Sequence, residues 1–271
     1  VRLALGLLLL APVILGAIFA GMLEARSGLD AFTPDLFNRF AEPSATHLLG
    51  TDDLGRDLAL RLLHGARVSL AVGIATALAA TSIGTAIGLL AAWRGGVLDA
   101  VLMRLADGML ALPALPVLVV LAAADTGRIG LPRGETMSDI IRIVAILAVF
   151  GWVGVARLAR AAALSVLARD YVRAARAMGA TEARILVRHV LPNIATPILV
   201  ATALAVAGAI LAESALSFLG LGIAPPAASW GNMLANAQDL VFSAPRAAVW
   251  PGMMILLAVA GCTLVADALR R

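Results

Sequence analysis

Long uncharged apolar runs dominate this chain, with neither strict alternation nor a one-sided helical stripe. A helix needs about 20 apolar residues to cross the hydrocarbon of a membrane. Residues 3–23, 68–93, 190–212 and 247–266 meet that requirement with no charge inside. Two further runs are less clean. Residues 101–124 carry Arg104 and Asp107 near one end, and 139–155 open on Asp139 and Arg142. These read as spans whose charged ends reach the interface or a protein partner. The pattern predicts an all-α integral membrane protein with about six transmembrane helices. The expected division is a first helix over 1–23, an external segment with an interfacial helix over 24–67, and a core over 68–268. Within the core the spans fall near 68–93, 101–124, 138–157, 191–213 and 247–267. The run 3–23 is longer than a signal-peptide core, which favours a first span over a cleaved leader.

Arginines set the expected orientation. Between the fourth and fifth spans lie Arg157, Arg160, Arg169, Arg173, Arg176, Arg184 and Arg188, against only Asp170 and Glu182. Such an excess marks a cytoplasmic loop. The acidic segment after the first span then lies outside, as do the loops 125–138 and 214–246. An even number of spans puts both termini in the cytoplasm, where Arg2 and Arg270 agree with them.

Composition narrows the chemistry. The chain is 61% hydrophobic and 14% charged over 271 residues, more apolar surface than one soluble core can bury. All 21 basic residues are arginine. Without lysine the chain has neither the phosphate-binding lysine of a P-loop nor a Schiff-base lysine. The arginines flank apolar spans, which favours membrane topology over nucleic acid as the source of the basic balance. Cys262 is the single cysteine, and His47, His64 and His189 stand in no zinc spacing. Neither catalytic nor metal residues are expected here.

One stretch carries mechanism. The sequence from Arg169 to Asn193 is helix-forming as far as Met178 and is then broken by Gly179, which suits a left-handed helix stop. Thr181 can cap a second short helix with Glu182 in its first turn. The expected product is a helix–turn–helix knob over 161–190. Ala174, Ala175, Ala177, Gly179 and Ala180 let another backbone approach, and Tyr171, Arg173 and Arg176 offer polar edges. On pattern alone an ordinary basic loop fits as well as a docking knob.

The knob resembles the EAA loop of ABC-importer permeases, in which two short helices fit a cleft on the nucleotide-binding subunit. Ala174, Ala175 and Gly179 match that motif, and Leu191-Pro192-Asn193 match its close. Arg173 stands where the motif has an acid, so a salt bridge assigned to that acid does not carry over. Two more stretches, HLLGTDDLGRD from His47 and LSFLGLGIAPPAASWGNML from Leu216, are similar to signatures of the dipeptide/oligopeptide/nickel permeases, C-type subunit. The resemblance implies a type I ABC importer permease fold with no cofactor of its own. ATP and Mg would be held by two partner ABC ATPase subunits. A second homologous permease subunit and an extracytoplasmic substrate-binding protein would complete the complex in the bacterial inner membrane. Peptide is the implied substrate, with nickel or a metal chelate as the alternative.

Several residues carry two readings at once. Glu213 and Ser214 are either a charge at the water boundary or a pathway gate. Pro225, Pro226 and Trp230 either meet the binding protein or belong to a structural cap. Asp52, Asp53, Asp57 and His47 suit a turn-capping surface cluster better than a metal site. Arg104 and Asp107, three apart on one helix face, suggest an interface ion pair. Among rival functions, an ion-coupled transporter would want midplane charges and internal repeats, and a membrane enzyme would want a constellation of reactive side chains within the spans. A non-transporting scaffold is the rival that the sequence opposes least.

Overall fold

A computed structural model describes residues 1–124, 132–235 and 244–270. Parts of the loops expected over 125–138 and 214–246 therefore lie outside the described residues. Among those described there is no β-strand, only an isolated bridge between Thr51 and Asp57.

The first helix, α1 (Arg2–Ser27), ends on Gly28 in the left-handed conformation, φ 68°. An irregular segment follows. The interfacial helix expected there is reduced to one 3-10 turn, Leu36–Asn38, whose start is capped by the Asp35 carboxylate. The second helix, α2 (Leu58–Arg94), begins ten residues before the apolar run does. Asp57 caps it by accepting from Leu60 N at 2.8 Å. The charges that obscured this start all meet partners within the protein: Arg61 faces Asp52, His64 faces Glu24, and Arg67 donates to carbonyls of α1. Asp52 also pairs with Arg56, and Asp57 with His47. The aspartate cluster thus pins the segment onto the head of α2, and no metal-binding group of three ligands occurs among the described residues.

Gly95 and Gly96, both at positive φ, turn the chain into α3 (Gly96–Ala111) and then α4 (Ala114–Ala123). The span expected over 101–124 is broken between them, at residues 112–113. These two helices meet at 86°. After residues 125–131 the chain descends through α5 (Thr136–Leu167) to α6 (Asp170–Ala177) and α7 (Glu182–Ile185). A five-residue π segment, Leu186–Val190, leads into α8 (Leu191–Phe218). A short helix, α9 (Trp230–Met233), precedes α10 (Pro245–Leu269). Five helices among the described residues are long and apolar enough to cross a membrane, or six if α3 and α4 together count as one.

Small residues fix the centre of the bundle. In lipid, helices gain little from hydrophobic burial against one another and rely on close backbone approach. A Cβ on Gly84 would stand 2.5 Å from Trp152 O, and one on Gly88 would stand 2.3 Å from Ala156 O. These two glycines therefore let α2 and α5 touch backbone to backbone. Gly6 and Gly261 do the same where α1 meets α10. Arg2 pairs with Asp267 at 3.5 Å, so both ends of the described chain lie on one face. Arg104 and Asp107 do not pair with each other. Their helix is tied instead to α5, through Asp107–Arg157 at 3.4 Å and the two-pronged Asp99–Arg160 pair.

Candidate functional site

The knob is built from the turn outward. Helix α6 ends at Ala177, and Gly179 takes φ 83°. Gly179 N then donates to Arg176 O and Ala180 N to Ala175 O, both at 3.0 Å. That bond pair is the Schellman closure, which needs a residue in the left-handed region and so favours glycine. Thr181 caps α7, its hydroxyl accepting from Arg184 N at 3.4 Å. Arg176 clamps the two short helices by donating to both oxygens of Glu182, at 2.9 and 3.1 Å. These hydrogen bonds raise the guanidinium pKa above its ordinary value.

The knob has an inner and an outer side. Val172 and Ile185 are buried against Ala92, Ala163, Val190 and Ile194, and Ala175 is buried as well. Ala175 is therefore not exposed for docking, a correction to its expected place on the docking surface. Tyr171, Arg173, Ala174, Arg176 and Gly179 are exposed, and Ala180 is half-buried. Arg173 pairs with Asp170 across one turn. Sequence reasoning missed Met178, which is 82% exposed at the tip. Its place immediately before the stop glycine was the available signal.

The far end of the bundle holds a second constructed feature. Helix α8 ends as α6 does: Gly220 N donates to Ser217 O at 3.0 Å, and Leu221 N to Leu216 O at 2.9 Å. The chain then folds back over α2, α5 and α8 as a cap, through residues 219–235. Glu213 is fully buried beneath it. The Glu213 carboxylate accepts from Ser69 Oγ at 3.0 Å and from Ser217 Oγ at 2.7 Å. Ser69 Oγ in turn accepts from Trp230 N at 3.2 Å, and Ser217 Oγ accepts from Ile223 N at 3.0 Å. Glu213 is thus neither at the water boundary nor open to a pathway in this conformation. Ser214 is buried beside it, with its Cα only 2.5 Å from where a Cβ on Gly231 would stand.

Two further groups nail the cap down. Trp230 is completely buried and donates from Nε1 to Leu62 O at 3.1 Å. It anchors the cap and offers no surface to a binding protein, whereas Pro225 and Pro226 are exposed. Asp139 accepts from Ala224 N at 3.1 Å and from Arg142 at 2.9 Å, and Arg142 donates to Gly222 O at 2.9 Å. The charges at the head of α5 therefore serve the cap. An unpaired charge there would be costly, and here each one has partners.

Comparison with known proteins places this architecture. The family described as "Binding-protein-dependent transport system inner membrane component" matches residues 84–271. The chain belongs to this family. It is 37% identical to the dipeptide transport system permease protein DppC of Alkalihalophilus pseudofirmus, over 98% of this chain and 83% of that protein. It is 36% identical to the oligopeptide transport system permease protein OppC of Bacillus subtilis, over 98% of this chain and 82% of the relative. Against the di/tripeptide transport system permease protein DppC of Pseudomonas aeruginosa the identity is 41%, over 83% of this chain and 71% of the relative. The chain is accordingly a multi-pass membrane permease subunit with the type I ABC importer permease fold. Membership sets aside the ion-coupled transporter, the membrane enzyme and the scaffold.

Proposed function

We propose that this chain forms half of the translocation pathway of an ATP-driven peptide importer. The knob would dock in a cleft on a separate ATPase subunit. The observation that carries this reading is the knob's construction, a Schellman-closed pair of short helices seated inward on Val172 and Ile185 with Tyr171, Ala174 and Met178 left outward. The knob face is then cytoplasmic, the cap faces outward across the inner membrane, and both termini lie inside. The arginine distribution supports this orientation.

The partners are a second permease subunit, two ABC ATPases holding ATP and Mg, and an extracytoplasmic binding protein. ATP binds the closed ATPase pair more tightly than the open pair, and that difference is the free energy available to move the knob. The rocking permease halves then open the pathway outward, and hydrolysis returns it inward. Peptide is favoured as substrate because the relatives reported above are named for dipeptide, oligopeptide and di/tripeptide transport. Their names give nickel no support.

Uptake by the purified complex in proteoliposomes tests the reading. With binding protein outside and ATP inside, a radiolabelled dialanine or trialanine should accumulate. Uptake of chelated nickel without peptide uptake would overturn the substrate, and peptide uptake indifferent to ATP would overturn the mechanism.

A further inference from the structure

The elbow between α3 and α4 breaks the backbone ladder at mid-height on the bundle. In a continuous helix each carbonyl accepts from the N–H four residues on. Pro113 and Pro116 have no N–H, so the carbonyls of Met109 and Leu112 lose those donors. Leu112 N turns to Met109 O at 3.3 Å, and the next donor to rejoin the ladder is Val117 N, at 3.3 Å from Pro113 O. Among the described residues, the carbonyls of Leu110, Ala111 and Leu112 and the N–H groups of Ala114 and Leu115 have no backbone partner. No side chain caps the start of α4.

The depth of this break makes it informative. Met109 packs with Trp152, which stands at the midpoint of α5. Elbow and bundle centre are therefore level. The surroundings are open: a Cβ on Gly108 would meet nothing within 4 Å, and Leu110, Leu112 and Leu115 are exposed. Unpaired backbone groups are not tolerated against lipid, and at membrane depth they persist only where protein buries them or water reaches them. A neighbouring membrane helix has its own backbone groups paired internally and offers little to five orphaned ones. Water satisfies them all.

We infer that residues 108–115 line the water-filled translocation pathway, presenting main-chain carbonyls and N–H groups to a hydrated, hydrogen-bonding substrate. The inference rests on the proposal that this chain is half of such a pathway. It gives the two prolines a role that the apolar run conceals, since they break a span where an uninterrupted helix would present only apolar side chains.

Cysteine accessibility in the assembled complex tests it. In a Cys262→Ala background, Gly108→Cys, Leu112→Cys and Leu115→Cys are each exposed to a permanently charged, membrane-impermeant thiol reagent. Labelling is measured without nucleotide and in the ATP–vanadate-trapped state. Leu8→Cys and Leu15→Cys on the lipid-exposed side of α1 serve as controls. In at least one state the elbow positions should react roughly a hundredfold faster than the controls, because a charged reagent is strongly excluded from hydrocarbon. Unreactive elbow positions in a complex that still holds its ATPases and transports would overturn this inference alone. Efficient disulfide cross-linking of Leu112→Cys to the second permease, without labelling, would reassign the elbow to the subunit interface and also overturn it. Loss of ATPases from the unaltered complex would instead overturn the proposed function.

Discussion

Replacing Glu213 by alanine removes the acceptor for both the Ser69 and Ser217 hydroxyls, which anchor the Trp230 and Ile223 N–H groups of the cap. Each buried polar group left without a partner costs about 1–3 kcal/mol. Glu213→Ala is expected to lower the melting temperature of the purified complex clearly. Glu213→Gln, which keeps one carbonyl acceptor and the side-chain volume, should lower it far less. Equal losses from the two variants would show that charge, and not the hydroxyl ring, holds the cap. At this scale the sequence was partly legible. Gly179 and Thr181 announce a helix stop and a helix cap because their chemistry is local, and both are found as such. The burial of Glu213 was not legible, because its partner Ser69 lies 144 residues away and an isolated glutamate near a helix end looks like a boundary charge.

Among the elements, the α2–α5 contact is the tightest large interface of the bundle, with Gly84 and Gly88 against the backbone of Trp152 and Ala156. A methyl group at Gly88 would meet a carbonyl oxygen at 2.3 Å, and backbone cannot swing aside as a side chain does. Overpacking of this kind costs about 1–3 kcal/mol. Gly88→Ala should therefore destabilise the complex in a thermal melt, whereas Gly252→Ala, in α10 with open space around it, should leave the melt nearly unchanged. Equal effects would contradict the close approach. The elements were legible where apolar length decides, as in α1, α5, α8 and α10. They were read incompletely in two places. The charges Arg61, His64 and Arg67 hid the first turns of α2 because their partners, Asp52, Glu24 and the α1 carbonyls, are tertiary. Pro113 and Pro116 were visible breakers inside 101–124, but counting apolar residues gives a proline no weight against a span.

For the molecule as a whole, the knob and the cap sit at opposite ends of one long helix. Residues Glu182–Phe218 run on as a single 37-residue rod, about 55 Å at the rise of an α-helix. Its first turns bury Ile185, Val190 and Ile194 with the knob, and its last turns carry Glu213 and Ser217 under the cap. The rod joins knob to cap through one run of helix, with the π segment Leu186–Val190 and Pro197 as its irregular stretches. The family and the knob were legible together because a short motif and a topology rule point to the same face. The cap's construction was not, because its signature bonds join α2, α5 and α8, which only the folded chain brings together.

The central claim is that this subunit works by docking its knob on separate ATPases. Purification of the chain from its native membrane in mild detergent, with every co-eluting subunit identified and counted, tests it most directly. The account predicts recovery with one related permease and two ATPase subunits, and loss of the ATPases alone when Gly179 is replaced by a bulky residue such as tryptophan. Recovery of the unaltered chain without any ATPase, under every mild condition that keeps the two permeases together, would contradict it.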